Sequence, residues 1–146
     1  MSAQENNQNG ILSTSDIVKH YDEQGLVGSI KIYFKKSDIK THQSKLDRPY
    51  YVIRPLVVKV GEEFDEHPNF SIFLKPKYQY RISLIEADFW VMIIDDETST
   101  FKNQSGEDIE YYNVNLKYIT NPKLIDTILK KALAVRNIEE FDEDEV

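Results

Sequence analysis

Basic and aromatic residues alternate through the central part of this 146-residue chain. Residues 30–81 contain eleven lysines and arginines, six acids and nine aromatic residues. Single-stranded nucleic acids are held by basic grooves that follow the phosphates and by aromatic rings on which the bases stack. Each stacked base contributes about 1–3 kcal/mol, so two or three exposed rings would matter. The pattern therefore favours a sequence-tolerant binding surface for a single strand.

Eight residues are the candidates for that surface. Tyr33 is the strongest, because alternation along its strand sets it beside Lys31 and Lys35 and opposite the apolar face. The alternative for each tyrosine is a half-buried position in a strand, with the lysines simply solvating an outer face. The candidate nucleic-acid-binding residues are Lys31, Tyr33, Lys35, Tyr50, Tyr51, Arg54, Lys77 and Arg81.

No residue pattern in the sequence indicates catalysis. The chain has no cysteine, and His20, His42 and His67 each lack a second ligand at helical or hairpin spacing, so we expect no metal site. Phosphate-binding glycine loops, dinucleotide fingerprints and nucleophile elbows are absent from the sequence. The run Asp-Asp-Glu at 95–97 could bind a divalent cation, but its place directly after a strand favours a solvated turn. We therefore expect a binding protein without cofactors rather than an enzyme.

Apolar alternation predicts five β-strands, mostly antiparallel. Pro55 within the second strand implies an edge position, a bulge or a bend. The fourth strand is apolar on both faces, which favours a central position in the sheet. The predicted strands cover residues 28–36, 50–60, 70–74 together with 77–85, 89–95 and 110–119, with an exposed basic loop at 37–48 and an acidic turn at 61–68.

Two helices complete the predicted fold. Residues 13–21 suit a short helix with Ser13 or Ser15 as its N-cap. Residues 121–136 form the clearest helix, since apolar residues recur at helical spacing after Asn121 and Pro122. These elements predict an all-β leaning fold, a small closed or partly closed antiparallel barrel plugged at one end by the C-terminal helix. The domain would span residues 13–136, between a flexible polar arm at 1–12 and a flexible acidic tail at 137–146.

The net charge of −7 is concentrated at the chain ends. The last eight residues hold six acids, whereas residues 26–136 hold 17 basic and 15 acidic residues. Apolar residues within the tail (Ile138, Phe141 and Val146) suggest three uses for it: docking on a protein partner, occupying the chain's own basic groove, or only improving solubility. Neither a signal peptide nor a membrane-spanning run is recognisable, so we expect a cytoplasmic location and no membrane partner.

The chain resembles single-stranded DNA-binding proteins of the OB fold, and within them the PrgE-like proteins of Gram-positive conjugative plasmids. The resemblance covers residues 26–136 and is carried by Lys-Ile-Tyr-Phe-Lys at 31–35, Lys-Tyr-Gln-Tyr-Arg at 77–81, the C-terminal helix and the polar arm. It implies a five-stranded OB-like barrel that binds single-stranded DNA in a plasmid or other mobile-element context, with self-association through the arm. The competing hypothesis is a non-enzymatic protein–protein module, for instance an acidic inhibitor that mimics nucleic acid.

Overall fold

Two β-sheets and three helices make up the computed structural model, which describes residues 10–43 and 48–145, with side chains up to residue 133. The strands are β1 (Ile11–Leu12), β2 (Ile30–Lys35), β3 (Ile39–Gln43), β4 (Pro49–Ile53), β5 (Val57–Val60), β6 (Glu63–Asp65), β7 (Ser71–Leu74), β8 (Phe89–Lys102) and β9 (Asp108–Tyr118). The helices are α1 (Thr14–Asp22), α2 (Pro76–Ser83) and α3 (Pro122–Glu145), and a 3-10 turn covers Lys36–Asp38.

The strands form two separate sheets. Sheet A has the order β1-β7-β4-β3, and sheet B has the order β6-β5-β2-β8-β9. All pairings are antiparallel except that of β1 with β7. The predicted bend at Pro55 separates β4 from β5 and carries the chain from sheet A to sheet B. A mostly-β fold with a C-terminal helix is confirmed, but the sheets do not close into a barrel, and the expected OB-like barrel is not confirmed.

Alternating side chains from both sheets meet in the main core. Ile32 and Phe34 of β2 and Trp90 of β8 extend from sheet B, while Ile53 and Ile72 extend from sheet A. All five are fully buried. Because side chains alternate between the two faces of a strand, the neighbours of these residues lie on the outer faces of the sheets.

The C-terminal helix builds a second, smaller core on the outer face of sheet B. Ile128 and Ala132 of α3 are buried there with Tyr33 and Val57 of the sheet. The helix therefore forms a third layer over sheet B instead of plugging the end of a barrel. Asn121 is its N-cap, as predicted, and its side-chain oxygen accepts the backbone N–H of residue 123 at 3.0 Å.

The short N-terminal helix is also confirmed. The Ser13 hydroxyl accepts the backbone N–H of Asp16, whose carboxylate accepts the N–H of Ser13 in return. In the last turn, the buried Tyr21 hydroxyl donates a hydrogen bond of 2.7 Å to Asp65 and so ties α1 to β6. Burial and the Asp65 carboxylate together raise the pKa of Tyr21 above its ordinary value.

Several predicted element boundaries are wrong. Residues 37–48 were expected to be a loop, but the chain forms β3 at the edge of sheet A there. Residues 77–85 were expected to be a strand, but they belong mostly to α2, because Pro76 starts a helix at its first position and only Ile82 of this helix is buried. The acidic turn at 61–68 contains β6.

The expected flexible tails differ from the structure as well. α3 extends to Glu145, so residues 137–145 of the acidic tail continue the helix that was predicted to end at 136. Within the polar arm, Ile11 and Leu12 pair with β7 as β1, and residues 1–9 lie outside the described part.

Gly28, which precedes β2, and Gly61, which follows β5, lie close together, and a substitution at Gly61 provides a test of stability. Gly61 has a φ of +58°, and a Cβ on it would lie 2.6 Å from the backbone oxygen of Val27. We expect Gly61→Ala to lower the free energy of unfolding by about 2 kcal/mol, because it adds a steric clash to left-handed strain of about 1–2 kcal/mol. Denaturant titration followed by circular dichroism measures the change.

Gly106→Ala is the matched control for this substitution. Gly106 also has a positive φ, +83°, but nothing lies within 4 Å of an added Cβ. The free energy of unfolding of Gly106→Ala should fall by only about 1 kcal/mol, which is the cost of the conformational strain alone. Equal losses in the two variants would contradict the close approach of Gly61 to Val27.

Candidate nucleic-acid interface

The strongest predicted binding residue is buried. Tyr33 is only 6% exposed and packs with Val57 and Ile128 beneath α3. Desolvation by this burial raises the pKa of its hydroxyl. Alternation along β2 correctly set Tyr33 beside Lys31 and Lys35, yet the expectation of an exposed stacking ring is wrong, because α3 covers this face of sheet B.

The other candidates lie mainly around sheet A. Tyr50 is on its outer face, and Arg54 is exposed directly after β4. Lys77 and Arg81 are exposed on α2, which follows β7. Tyr51 points the other way and packs against the main core. The eight predicted residues therefore do not share one face: Lys31, Tyr33 and Lys35 lie on sheet B, Tyr51 packs against the main core, and the other four lie on or next to sheet A and on α2.

Three aromatic rings from three different strands form a row on the outer face of sheet A. The rings of His42 and Tyr50 are stacked with centroids 5.3 Å apart and planes at 20°. Tyr50 stacks in turn with Phe73, at 6.3 Å and 23°. Phe73 is 43% exposed, although it is a large apolar side chain. We call His42, Tyr50 and Phe73 the ring stack.

The ring stack lies in a part of the chain that is rich in positive charge. The strands of sheet A contain no Asp or Glu, and neither does the segment 67–85 that includes β7 and α2. Four exposed basic side chains lie on β3, after β4, and between β7 and the start of α2: Lys40, Arg54, Lys75 and Lys77. A basic surface with an exposed aromatic row has the composition that single-strand binding requires.

A cleft of about 550 Å³ adjoins the ring stack at Phe73. One wall comes from β7 and α2 and contains Phe73, Lys75, Lys77 and Tyr78. The Lys77 ammonium group lies 5.1 Å from the centre of the Tyr78 ring, a cation–π distance. The floor includes the start of α1 and Met92 of the main core.

The far end of the β8–β9 hairpin also lines this cleft. This distal hairpin, residues 98–112, projects past the core, and an irregularity in pairing between Ile94 and Thr98 separates it from the rest of sheet B. Phe101 and Tyr111 form an edge-to-face pair with centroids 5.7 Å apart. They are 50% and 43% exposed, and both line the cleft.

The acidic run at 95–97 lies within that irregularity instead of in a turn. Its two aspartates border a second cleft of about 580 Å³, together with Lys19 and Asp22 of α1. No group of three or more His, Asp and Glu side chains that could hold a metal ion occurs in the described part of the chain. The suggested cation site at 95–97 therefore has no geometric support.

Most residues of the ring stack and the cleft were not predicted from the sequence. His42 lay in the expected loop at 37–48, and Phe101 lay between the predicted strands at 89–95 and 110–119, so neither was assigned to a strand. Phe73 and Lys75 were visible as an aromatic and a base, but their neighbours across the sheet were unknown. The absence of acids from residues 67–85 is the signal that could have identified this region from the sequence.

Comparison of the chain with known protein families, with curated proteins and with solved structures gave no match. Among the helices of the described residues, none has the length and apolar content needed to cross a membrane.

Proposed function

We propose that this protein binds single-stranded DNA, without base specificity, on the outer face of sheet A. The single observation that carries the proposal is the ring stack on strands without acidic residues, in which His42 and Phe73 are exposed and Tyr50 between them is half-buried. Bases are planar and apolar on both faces, so they stack on such rings whatever their identity. The proposed site keeps three residues of the sequence prediction, Tyr50, Arg54 and Lys77. It leaves out the other five: Lys31, Tyr33, Lys35, Tyr51 and Arg81.

The basic residues would hold the phosphates while the rings hold the bases. Lys40 is exposed on β3 two residues before His42, and Arg54 is exposed directly after β4. Lys75 and Lys77 are exposed on the lining of the cleft. Contacts of this kind position a strand without reading its sequence. The plasmid or mobile-element context and self-association through the N-terminal arm are supported only by the family resemblance at 31–35 and 77–81.

A second candidate function is binding of a basic protein. It is favoured by the lining of the second cleft, which contains three acids (Asp22, Asp95 and Asp96) against one base (Lys19). Val27, which is 75% exposed, lines the same cleft. Such a surface suits a basic partner, as an acidic inhibitor would require. This function predicts no affinity for oligonucleotides.

The proposed function is tested by fluorescence anisotropy with labelled oligo-dT and with duplex DNA of equal length. We expect saturable binding to the single strand and much weaker binding to the duplex. If the four basic residues each contact a phosphate, the logarithm of the association constant should fall with the logarithm of salt with a slope of about −3. No binding at low salt would refute the function and favour the basic-protein alternative.

A charge-reversed variant locates the site in the same assay. Lys75→Glu with Lys77→Glu should weaken binding at least about ten-fold, because two phosphate contacts become repulsive. The matched control is Lys117→Glu with Lys123→Glu, which changes the net charge equally on exposed residues of β9 and α3. An equal loss in both variants would indicate a general charge effect and not a site at the cleft.

A further inference from the structure

We infer that the cleft between Phe73 and the distal hairpin holds one unpaired base of the bound strand. This inference rests on the proposed function and adds to it a defined position for a single nucleotide. The cleft is separate from the open face of sheet A and shares only Phe73 with the ring stack.

The ring stack ends at this cleft. Its rings are nearly parallel, with interplanar angles of 20° and 23°, and Phe73 is the last of them. Because Phe73 also lines the cleft, a planar group inside the cleft can extend the stack by one member. Phe101 and Tyr111 line the same cleft, so it offers further aromatic contacts to an inserted base.

The size and charge of the cleft fit a nucleotide. A volume of about 550 Å³ lies within the roughly 300–1,000 Å³ of pockets for small organic ligands. Lys75 and Lys77 are exposed at its wall and would meet the phosphate attached to the base. Pro76 between them starts α2, which sets the two lysines on either side of the helix start.

Two polar side chains of the β8–β9 hairpin that line the cleft are already paired with neighbours. Glu110, which lines the cleft, accepts a hydrogen bond of 2.9 Å from Thr98. Asn113 donates one of 2.8 Å to the hydroxyl of Ser99. A base in the cleft would therefore be held mainly by its faces, which agrees with binding that tolerates any sequence. It would also have to be unpaired, which excludes duplex DNA.

The test uses oligo-dT strands that carry one 2-aminopurine each, at successive positions, since this base loses fluorescence when it stacks. With the full chain, we expect at least one position to be strongly quenched on binding. Phe101→Ala with Tyr111→Ala should abolish the quenching at that position and lower the affinity about ten-fold. Both side chains are about half exposed, so the fold should tolerate their removal.

Tyr80→Ala is the control, because Tyr80 is an exposed ring on α2 that does not line the cleft. It should leave both the quenching and the affinity unchanged. Binding with the same quenching pattern in the Phe101/Tyr111 variant would overturn the inference and leave the proposed function intact. Absence of binding to any strand by the unmodified chain would overturn both.

Discussion

Replacing Tyr33 by alanine is expected to lower the free energy of unfolding by about 3 kcal/mol. The ring is 6% exposed and fills the space between Val57 of sheet B and Ile128 of α3. Its removal leaves a cavity under the helix, and large aromatic side chains replaced by alanine in a core usually cost this much. Denaturant titration measures the loss of stability. The slope of the free energy of unfolding against denaturant concentration should stay unchanged if the folded state is the same.

Tyr33→Phe separates the ring from its hydroxyl. The ring fills the same space in this variant, so its stability should stay within about 1 kcal/mol of the original chain. Under conditions in which the Tyr33→Ala variant remains folded, the variant should bind oligo-dT with the affinity of the original chain, because Tyr33 is not part of the proposed surface. A stable Tyr33→Ala variant with much weaker DNA binding would contradict this arrangement and restore the interpretation of Tyr33 as a stacking residue.

Removing two rings of the ring stack should have the largest effect on binding. Tyr50→Ala with Phe73→Ala removes the middle ring and the ring at the Phe73 end, so that a base can no longer stack there, and such stacking contributes about 1–3 kcal/mol per base. The affinity for oligo-dT should therefore fall about 30-fold. The salt dependence should change little, because the basic residues that contact phosphates remain.

Tyr80→Ala with Leu84→Ala provides the matched control. Tyr80 on α2 and Leu84 directly after it are 64% and 67% exposed and lie outside the ring stack, so their loss removes a similar apolar area from the surface. Affinity should be retained in this control, and both variants should keep the circular dichroism spectrum of the original chain. Comparable losses in the two variants, or none in the ring-stack variant, would exclude sheet A as the proposed binding surface.

The opposite outcomes expected for Tyr33 and Tyr50 have one structural origin. Both are tyrosines in strands, and both project away from the main core. The outer face of sheet B is covered by α3, which buries Tyr33 with Ile128. The outer face of sheet A leaves Tyr50 beside two stacked rings, one of them 43% exposed.

Local patterns in the sequence determined much of the secondary structure. Alternation correctly assigned β2 and the start of β8, since inward-facing positions such as Ile32 and Trp90 must be apolar in any arrangement that buries one face. The caps at Ser13 and Asn121 marked two helix starts, because a side-chain oxygen must satisfy free backbone N–H groups there. Pro55 marked the bend between β4 and β5.

Alternation was misleading where the same residues fitted both the period of a strand and the period of a helix. Tyr78, Tyr80, Ile82 and Leu84 suit one face of a strand, yet this segment is the helix α2. Pro76 suits the first position of a helix, and the buried Ile82, with Tyr78 packed against the same core, anchors these two short turns. The period of a short segment cannot by itself decide between strand and helix.

Only the tertiary structure decided which surface is available for binding. A period of two divides a strand into two faces, but it does not specify which face another element will cover. α3 is far from β2 in the sequence, and its packing buried Tyr33 beside Ile128. His42, Tyr50 and Phe73 come from three strands and form a row only because long-range pairing sets their register. Residue types and charges thus followed from the sequence alone, whereas the binding surface depended on contacts between residues distant in the chain.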